Sequence, residues 1–158
     1  MADQLQILED WVAPLLARMT PAESRRLALA MAREMRAHQQ RTLAAQTAPD
    51  GSAWAPRKPP ARDARGQVRR AAQRGKVRAD MFRGLRKPQW LKAGATPAEA
   101  SVGFVGRAAR IAALHHWGGP DKVTPRGPVY DYPARPLIGI PEPLAEQLRD
   151  MLAQHLAG

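Results

Sequence analysis

Apolar residues near the start of the chain recur every three or four positions, which is the spacing of one helix face. Seven of them fall within residues 3–19, and Pro14 in this stretch predicts a kink or a division into two shorter helices. Thr20-Pro21-Ala22-Glu23 predicts the start of a second helix. Threonine suits the N-cap, proline suits the first helical position, and Glu23 can reach back to the cap amide. With this helix running to about Leu43, the pattern predicts two antiparallel helices joined by a tight turn.

The middle of the chain breaks this periodicity. Ala48-Pro49-Asp50-Gly51-Ser52 has the composition of a turn, and the prolines that follow Trp54 predict an extended loop with an aromatic anchor. Residues 61–76 are rich in Arg, Ala and Gln, which predicts either a long flexible loop or a helix formed against a partner. Three apolar residues at helical spacing predict a short helix over residues 77–86.

Shorter elements fill the second half of the chain. Alternation, periodicity and turn residues predict strands over 90–93 and 100–105 with a hairpin connection over 94–99, a helix over 107–117 that Gly118-Gly119-Pro120 ends, a strand over 129–132, an extended connection over 133–143 and a C-terminal helix ending before Gly158. The predicted fold class is therefore α+β, with an N-terminal helical hairpin, a basic loop, a small antiparallel sheet with short helices, and a C-terminal helix.

The length of 158 residues fits one structural domain. Its expected parts are the helical hairpin over 1–46, the turn and basic loop over 47–92, and the small sheet with the last helix over 93–158. Cysteine is absent, which excludes disulfides, thiolate zinc sites and cysteine nucleophiles. No apolar run approaches the ~20 residues that span a bilayer, and the acidic, amphipathic start is not a signal peptide. We therefore expect a soluble protein of a reducing compartment, with no membrane partner.

Positive charge is concentrated in one stretch of the chain. Between Arg57 and Lys92 there are thirteen basic and two acidic residues, a net charge of +11, and the remainder of the chain is neutral. Such a cluster is either a solvated loop or the contact for a polyanion, and its self-repulsion favours neutralisation in an assembly. Composition leaves open whether that partner is nucleic acid or an acidic protein surface. The candidate contact residues are Arg57, Lys58, Arg62, Arg65, Arg69, Arg70, Arg74, Lys76 and Arg78.

The arrangement expected of an enzyme site is missing. The acidic residues are scattered over polar helix faces and turns, with no convergent group of titratable side chains. His115 and His116 are adjacent and diverge by ~100° on a helix, so we expect one packed and one solvated imidazole rather than a metal site. We expect no catalysis, no cofactor and no metal.

Four segments together resemble the phage virion morphogenesis family, the tail completion proteins of contractile-tailed temperate phages. The segments are the Thr20-Pro21 junction with its Arg- and Ala-rich helix, the run from Ala48 to Lys58, the run from Val102 to Ala112 followed by His115-His116-Trp117-Gly118, and the run from Tyr132 to Gly139. Three positions depart from the usual family pattern: His116 stands for Gln, Trp117 for Tyr, and Pro136 where an acidic residue is common.

The resemblance implies a structural virion protein at the head–tail junction, assembled in the bacterial host cytoplasm. Proteins of this kind act as rings of identical copies, with other neck, portal or connector, and tail proteins as partners, and no cofactor is implied. The basic loop would meet an acidic connector surface or make non-specific contact with packaged DNA. Residues expected to fix the loop and the interface are Trp54, Arg107, Arg110, His115, Trp117 and Arg135.

A second function class stays open at this point. A small basic nucleic-acid-binding protein, such as an RNA or DNA chaperone, would explain the concentrated positive charge. It would leave the neutral, leucine-rich remainder of the chain unexplained. Tight nucleic-acid binding by the isolated subunit at physiological salt would favour this class over the structural one.

Overall fold

The computed structural model describes Ala13 and residues 19–57, 80–122 and 125–157. These described residues form helices α1 (Pro21–Ala45), α2 (Arg107–Trp117) and α3 (Glu142–Ala157), and strands β1 (Leu91–Ala95), β2 (Ala100–Phe104), β3 (Gly119–Lys122) and β4 (Val129–Tyr132). This order confirms the predicted α+β class. The helix predicted over residues 3–19, and with it the helical hairpin, falls almost wholly outside the described residues, as does the basic stretch 58–79.

The start of α1 is the one that the sequence predicts. Thr20 Oγ1 accepts a hydrogen bond from the Glu23 amide at 3.2 Å, and Glu23 Oε2 accepts one from the Thr20 amide at 2.8 Å. The Thr20 hydroxyl also donates to Glu23 Oε2 at 2.7 Å, and this bond, together with the one from the Thr20 amide, lowers the pKa of the Glu23 carboxyl. Pro21 lacks the amide hydrogen that would otherwise have no partner in the first turn. The helix therefore begins at a capping box, which Thr20 and Glu23 form with each other without help from distant residues.

At its other end, α1 is tied to a distant part of the chain. Gln46 adopts a left-handed conformation with φ of 62° and ends the helix. Its side-chain amide donates to the Met81 carbonyl at 2.9 Å and accepts from the Met81 amide at 2.5 Å. The segment after the basic stretch is thereby fixed against the end of α1.

Residues 80–86 correct one expectation: they form turns, not the predicted helix. Phe82 has φ of +58°, a left-handed conformation that interrupts a right-handed helix. The apolar residues of this segment pack into the core directly, with Leu85 buried and Met81 and Phe82 packed against the same cluster. Burial of these side chains outweighs a helix propensity that amounts to a few tenths of a kcal/mol per residue.

The strands form two separate antiparallel pairs rather than one small sheet. β1 and β2 make the predicted hairpin, in register from Leu91 opposite Phe104 to Ala95 opposite Ala100. α1 packs on this hairpin, and α3 packs on α1. β3 pairs with β4 and was not predicted, because Gly119-Pro120-Asp121-Lys122 contains none of the residues that favour strands.

Two apolar clusters hold these elements together. The larger one includes Trp54, Leu91 and Leu137, and the two leucines are fully buried. The smaller one joins Met35 of α1 to Leu144 and other residues of α3. Full burial of a leucine contributes about 1.5–3 kcal/mol, so the packing of α1, the hairpin and the 133–141 connection rests on a few side chains.

Candidate interaction site

The loop around Trp54 is anchored as the sequence predicts. Asp50 Oδ1 accepts hydrogen bonds from the amide and the hydroxyl of Ser52, at 2.9 and 2.6 Å, and these bonds lower the pKa of the Asp50 carboxyl. Beyond this turn the Trp54 ring is buried, and its Nε1 donates to the Pro136 carbonyl at 2.8 Å. The tryptophan therefore joins the loop to the connection that precedes α3.

Arg135 reinforces the same junction from the other side. The residue is only 5% exposed, and its Nε and Nη2 donate to the carbonyls of Ala55 and Pro56 at 2.8 and 2.9 Å. Its backbone amide donates to the carbonyl of His115 at 2.7 Å. Arg135 thus connects three segments that are far apart in sequence: the Trp54 loop, α2 and the connection before α3.

A row of aromatic rings runs beside this junction. Trp54, Phe82, His115, Tyr132 and Tyr130 contact one another in that order, edge to face, with ring centroids 4.8–5.2 Å apart. Most of these rings line a cavity of about 680 Å³, and Arg57 and Arg135 line it too. The predicted candidates Arg57, His115 and Arg135 therefore meet at one site, with Trp54 behind it.

The two adjacent histidines face different surroundings, and both residues are partly buried. His115 lies in the aromatic row, and its Nδ1 is buried with no hydrogen-bond partner among the described residues. His116 Nδ1 accepts a hydrogen bond from the Leu137 amide at 3.1 Å. The expected division into one packed and one solvated imidazole is too sharp, because both residues are partly buried and the connection over 133–141 contacts the ring of His116. Burial lowers the pKa of both rings, and the charge of Arg135 lowers that of His115 further.

These pKa shifts predict a loss of stability in mild acid. A histidine with a lowered pKa in the folded state binds fewer protons than in the unfolded chain, so the free energy of unfolding falls as the pH drops through the ordinary histidine range. His116→Gln removes one of these groups and keeps an acceptor near the Leu137 amide. Urea unfolding at pH 7.5, 6.5 and 5.5 should give a shallower pH dependence for this variant than for the wild type. Equal slopes would contradict the proposed contribution of His116.

Trp117 lies on a separate surface of α2. Its ring contacts that of His116 at 4.4 Å between centroids, yet the residue is 78% exposed. It borders an apolar groove of about 540 Å³ between α2, β2 and the 133–141 connection, and Ile140 on the far side is 58% exposed. The lining of this groove contains no Asp, Glu, Lys or Arg, and its one titratable side chain is the partly buried His116.

Arg107 and Arg110 lie on a third surface. The Arg107 guanidinium carbon sits 4.9 Å from the centroid of the Trp90 ring, a cation–π contact. Arg110 pairs with Asp121 of β3 at 3.3 Å, and its side chain is 82% exposed. Such an exposed pair is worth less than about 1 kcal/mol, so Arg110 is a surface charge rather than part of the aromatic cavity.

The predicted site residues are thus divided among three surfaces. The remaining candidates, Lys58, Arg62, Arg65, Arg69, Arg70, Arg74, Lys76 and Arg78, lie outside the described residues. Sequence reasoning missed the aromatic wall itself. Tyr130 and Tyr132 are two positions apart on a predicted strand, and that spacing places both on one face. This spacing could have indicated an aromatic surface.

The described residues contain no cluster of three His, Asp or Glu side chains suited to a metal ion. Within the same part of the chain, no helix combines the length and apolar character that a membrane span requires.

Comparison with known proteins covers nearly the whole chain. The model of the phage virion morphogenesis family matches residues 3–157. Tail completion protein S of Escherichia phage P2 is 32% identical over 155 residues, which cover 98% of this chain and 98% of that protein. No solved structure matches the chain. The matched range includes all three surfaces and the whole basic stretch.

Proposed function

The chain belongs to the phage virion morphogenesis family, and from this premise we propose that it completes the phage tail as a ring of identical copies at the head–tail junction. Membership confirms the resemblance seen in the four sequence segments and gives the chain a part in virion assembly. In the proposed ring, the chain would contact its own copies and neck, portal or connector, and tail proteins. In this role it is a structural component without catalytic chemistry.

The observation that carries this proposal is the exposed apolar groove beside Trp117. A tryptophan that is 78% exposed and an isoleucine that is 58% exposed at the same groove are unusual on a surface that stays in water. Large apolar side chains rimmed by polar residues are typical of protein interfaces, and tryptophan is enriched among the residues that dominate their affinity.

We assign the groove to the next copy in the ring. A closed ring uses a heterologous contact, in which one patch of each copy meets a different patch of its neighbour. The groove lining is uncharged apart from the titratable His116, so copies with a net charge of +11 can approach here without placing like charges in contact. The partner of the basic stretch in this role would be an acidic connector surface or packaged DNA.

Removing the apolar rim should prevent this self-association. Ile140→Ser and Trp117→Ala are expected to shift the full-length protein from an oligomer to a monomer, because each deletes apolar area from the proposed contact. Sedimentation velocity over a concentration series measures the change. Ile111→Ser is the matched control, since Ile111 is also exposed, at 49%, and lies on α2 but does not line the groove. An equal effect of Ile111→Ser, or a wild-type protein that is monomeric throughout, would contradict the assignment.

The nucleic-acid-binding class is tested separately. A gel shift of the isolated protein on double- and single-stranded DNA and on RNA at physiological salt should show only weak, salt-sensitive binding if the basic stretch works within an assembly. Tight binding by the isolated subunit would instead favour a free nucleic-acid-binding protein.

A further inference from the structure

Arg135 is a buried cation with no carboxylate partner among the described residues. The ion pairs in that part of the chain join other residues, and the hydrogen bonds of the Arg135 side chain go to two backbone carbonyls. A charge removed from water loses much of its hydration, and carbonyl dipoles replace it less completely than a counter-charge does. The guanidinium Nη1 group has no acceptor in the described structure, although it is a donor of the kind that binds carboxylates.

The same residue lines the aromatic cavity, so the missing counter-charge has a place to enter. The cavity measures about 680 Å³, within the range of sites that hold small ligands or short peptide segments. Phe82, Val129, Tyr130 and Tyr132 supply apolar wall, while Arg57 and Arg135 supply positive charge. Arg135 is held in place by its bonds to Ala55 and Pro56, and apolar walls around such a fixed cation would orient a ligand that carries a carboxylate next to hydrocarbon.

His115 provides a second, independent observation at this site. Its Nδ1 is buried without a partner in the described structure, and the residue lines the same cavity. A neutral imidazole with its proton on Nδ1 would donate to an acceptor placed there. One acceptor group with two oxygens would satisfy both Arg135 and His115.

We propose that this cavity binds the carboxylate side chain of an acidic segment of another polypeptide, with Arg135 as its counter-ion. A peptide carboxylate fits better than a nucleic-acid phosphate, because Arg135 is only 5% exposed and the phosphates of a duplex lie on a wide, polar rod. A glutamate or aspartate side chain is narrow enough to enter, and its flanking residues would rest on the tyrosines. This proposal does not depend on ring formation, and its test uses no assembled particle.

The test is a titration of the ¹⁵N-labelled full-length protein, followed by NMR at the Arg135 Nε–H and at the Tyr130 and Tyr132 amides. The probes are acetyl-Leu-Glu-Leu-amide, its neutral counterpart acetyl-Leu-Gln-Leu-amide, and inorganic phosphate. We expect saturable shifts with the Glu peptide, and at least about tenfold weaker binding of the Gln peptide and of phosphate. Equal binding of the Glu and Gln peptides would overturn the proposal, as would phosphate binding as strong as that of the Glu peptide.

A variant at the mouth of the cavity separates charge recognition from a purely structural role of Arg135. Val129 lines the cavity and is 62% exposed, so its replacement leaves the bonds of Arg135 to Ala55 and Pro56 intact. Val129→Glu should weaken binding of the Glu peptide at least about fivefold by like-charge repulsion, and Val129→Gln, of matched size, should weaken it far less. A loss of the same size in both variants would overturn the proposal.

Discussion

Replacement of Gly118 by alanine is expected to lower the free energy of unfolding by about 2–6 kcal/mol, the sum of ~1–3 kcal/mol for backbone strain and ~1–3 kcal/mol for steric overlap. Gly118 follows the last residue of α2 with φ of 74° and ψ of −170°, a region that is essentially restricted to glycine. A Cβ atom there would lie 2.7 Å from the Tyr132 carbonyl oxygen and 2.8 Å from the Ala134 amide nitrogen. Both contacts are with backbone, which cannot rotate away as a side chain can.

Gly119 provides the control for this experiment. It also has a positive φ, of 112°, but a Cβ atom at this position would meet nothing within 4 Å. Gly119→Ala should therefore cost only the ~1–2 kcal/mol of left-handed strain. Urea unfolding followed by tryptophan fluorescence gives the free energies of both variants. Equal losses would show that steric overlap with the 132–134 backbone is not the cause.

Gly118 also affects the geometry of the aromatic cavity, because it determines how α2 meets the strand and the connection that follow. The close approach of residues 118 and 132–134 places the His115 carbonyl at the Arg135 amide. A folded Gly118→Ala variant would have to separate these segments. We therefore expect it to disturb the aromatic cavity as well as the overall stability.

The helices could be predicted from the sequence because their signals are local. Thr20 and Glu23 cap α1 with each other, and the apolar periodicity of residues 107–117 is that of α2. The turns over 80–86 could not be predicted in this way. Their conformation depends on Gln46, 35 residues away, which binds both backbone groups of Met81. A local apolar spacing does not reveal such a partner, and here tertiary packing overrides it.

The candidate site likewise combines residues that the sequence identifies with an arrangement that depends on distant contacts. Trp54, His115 and Arg135 could each be singled out from the sequence. That His115 and Arg135 line one cavity with Trp54 behind it depends on bonds between residues about 80 positions apart. Strand β3 was missed because pairing with β4, rather than its own composition, makes it a strand. The ion pair between Arg110 and Asp121 follows from that pairing, so its role as a surface charge could not be foreseen either.

Reversing three charges in the basic stretch should leave the subunit folded and block head–tail joining. The variant with Arg69, Arg70 and Arg74 changed to Glu has a net charge of +5 in this segment instead of +11, and the three positions lie outside the described residues. At about 0.5 kcal/mol for each of the six altered unit charges, the contact with a polyanionic partner loses ~3 kcal/mol, or about a hundredfold in affinity. In the proposed ring this loss would be repeated in every copy, so infectious yield should fall by about two orders of magnitude or more.

Complementation of a phage that lacks this protein measures the effect, with electron microscopy to count unjoined heads and tails. The control is a variant with Arg25, Arg26 and Arg33 changed to Glu. It has the same net charge for the whole protein, but its substitutions lie on the exposed side of α1. If the position of the charge matters, this control should complement nearly as well as the wild type. Loss of yield in both variants would point to overall charge, and normal yield from the Arg69, Arg70 and Arg74 variant would refute a role for the basic stretch in joining. Because the two variants carry equal net charge, any difference between them reports where on the molecule the polyanion binds.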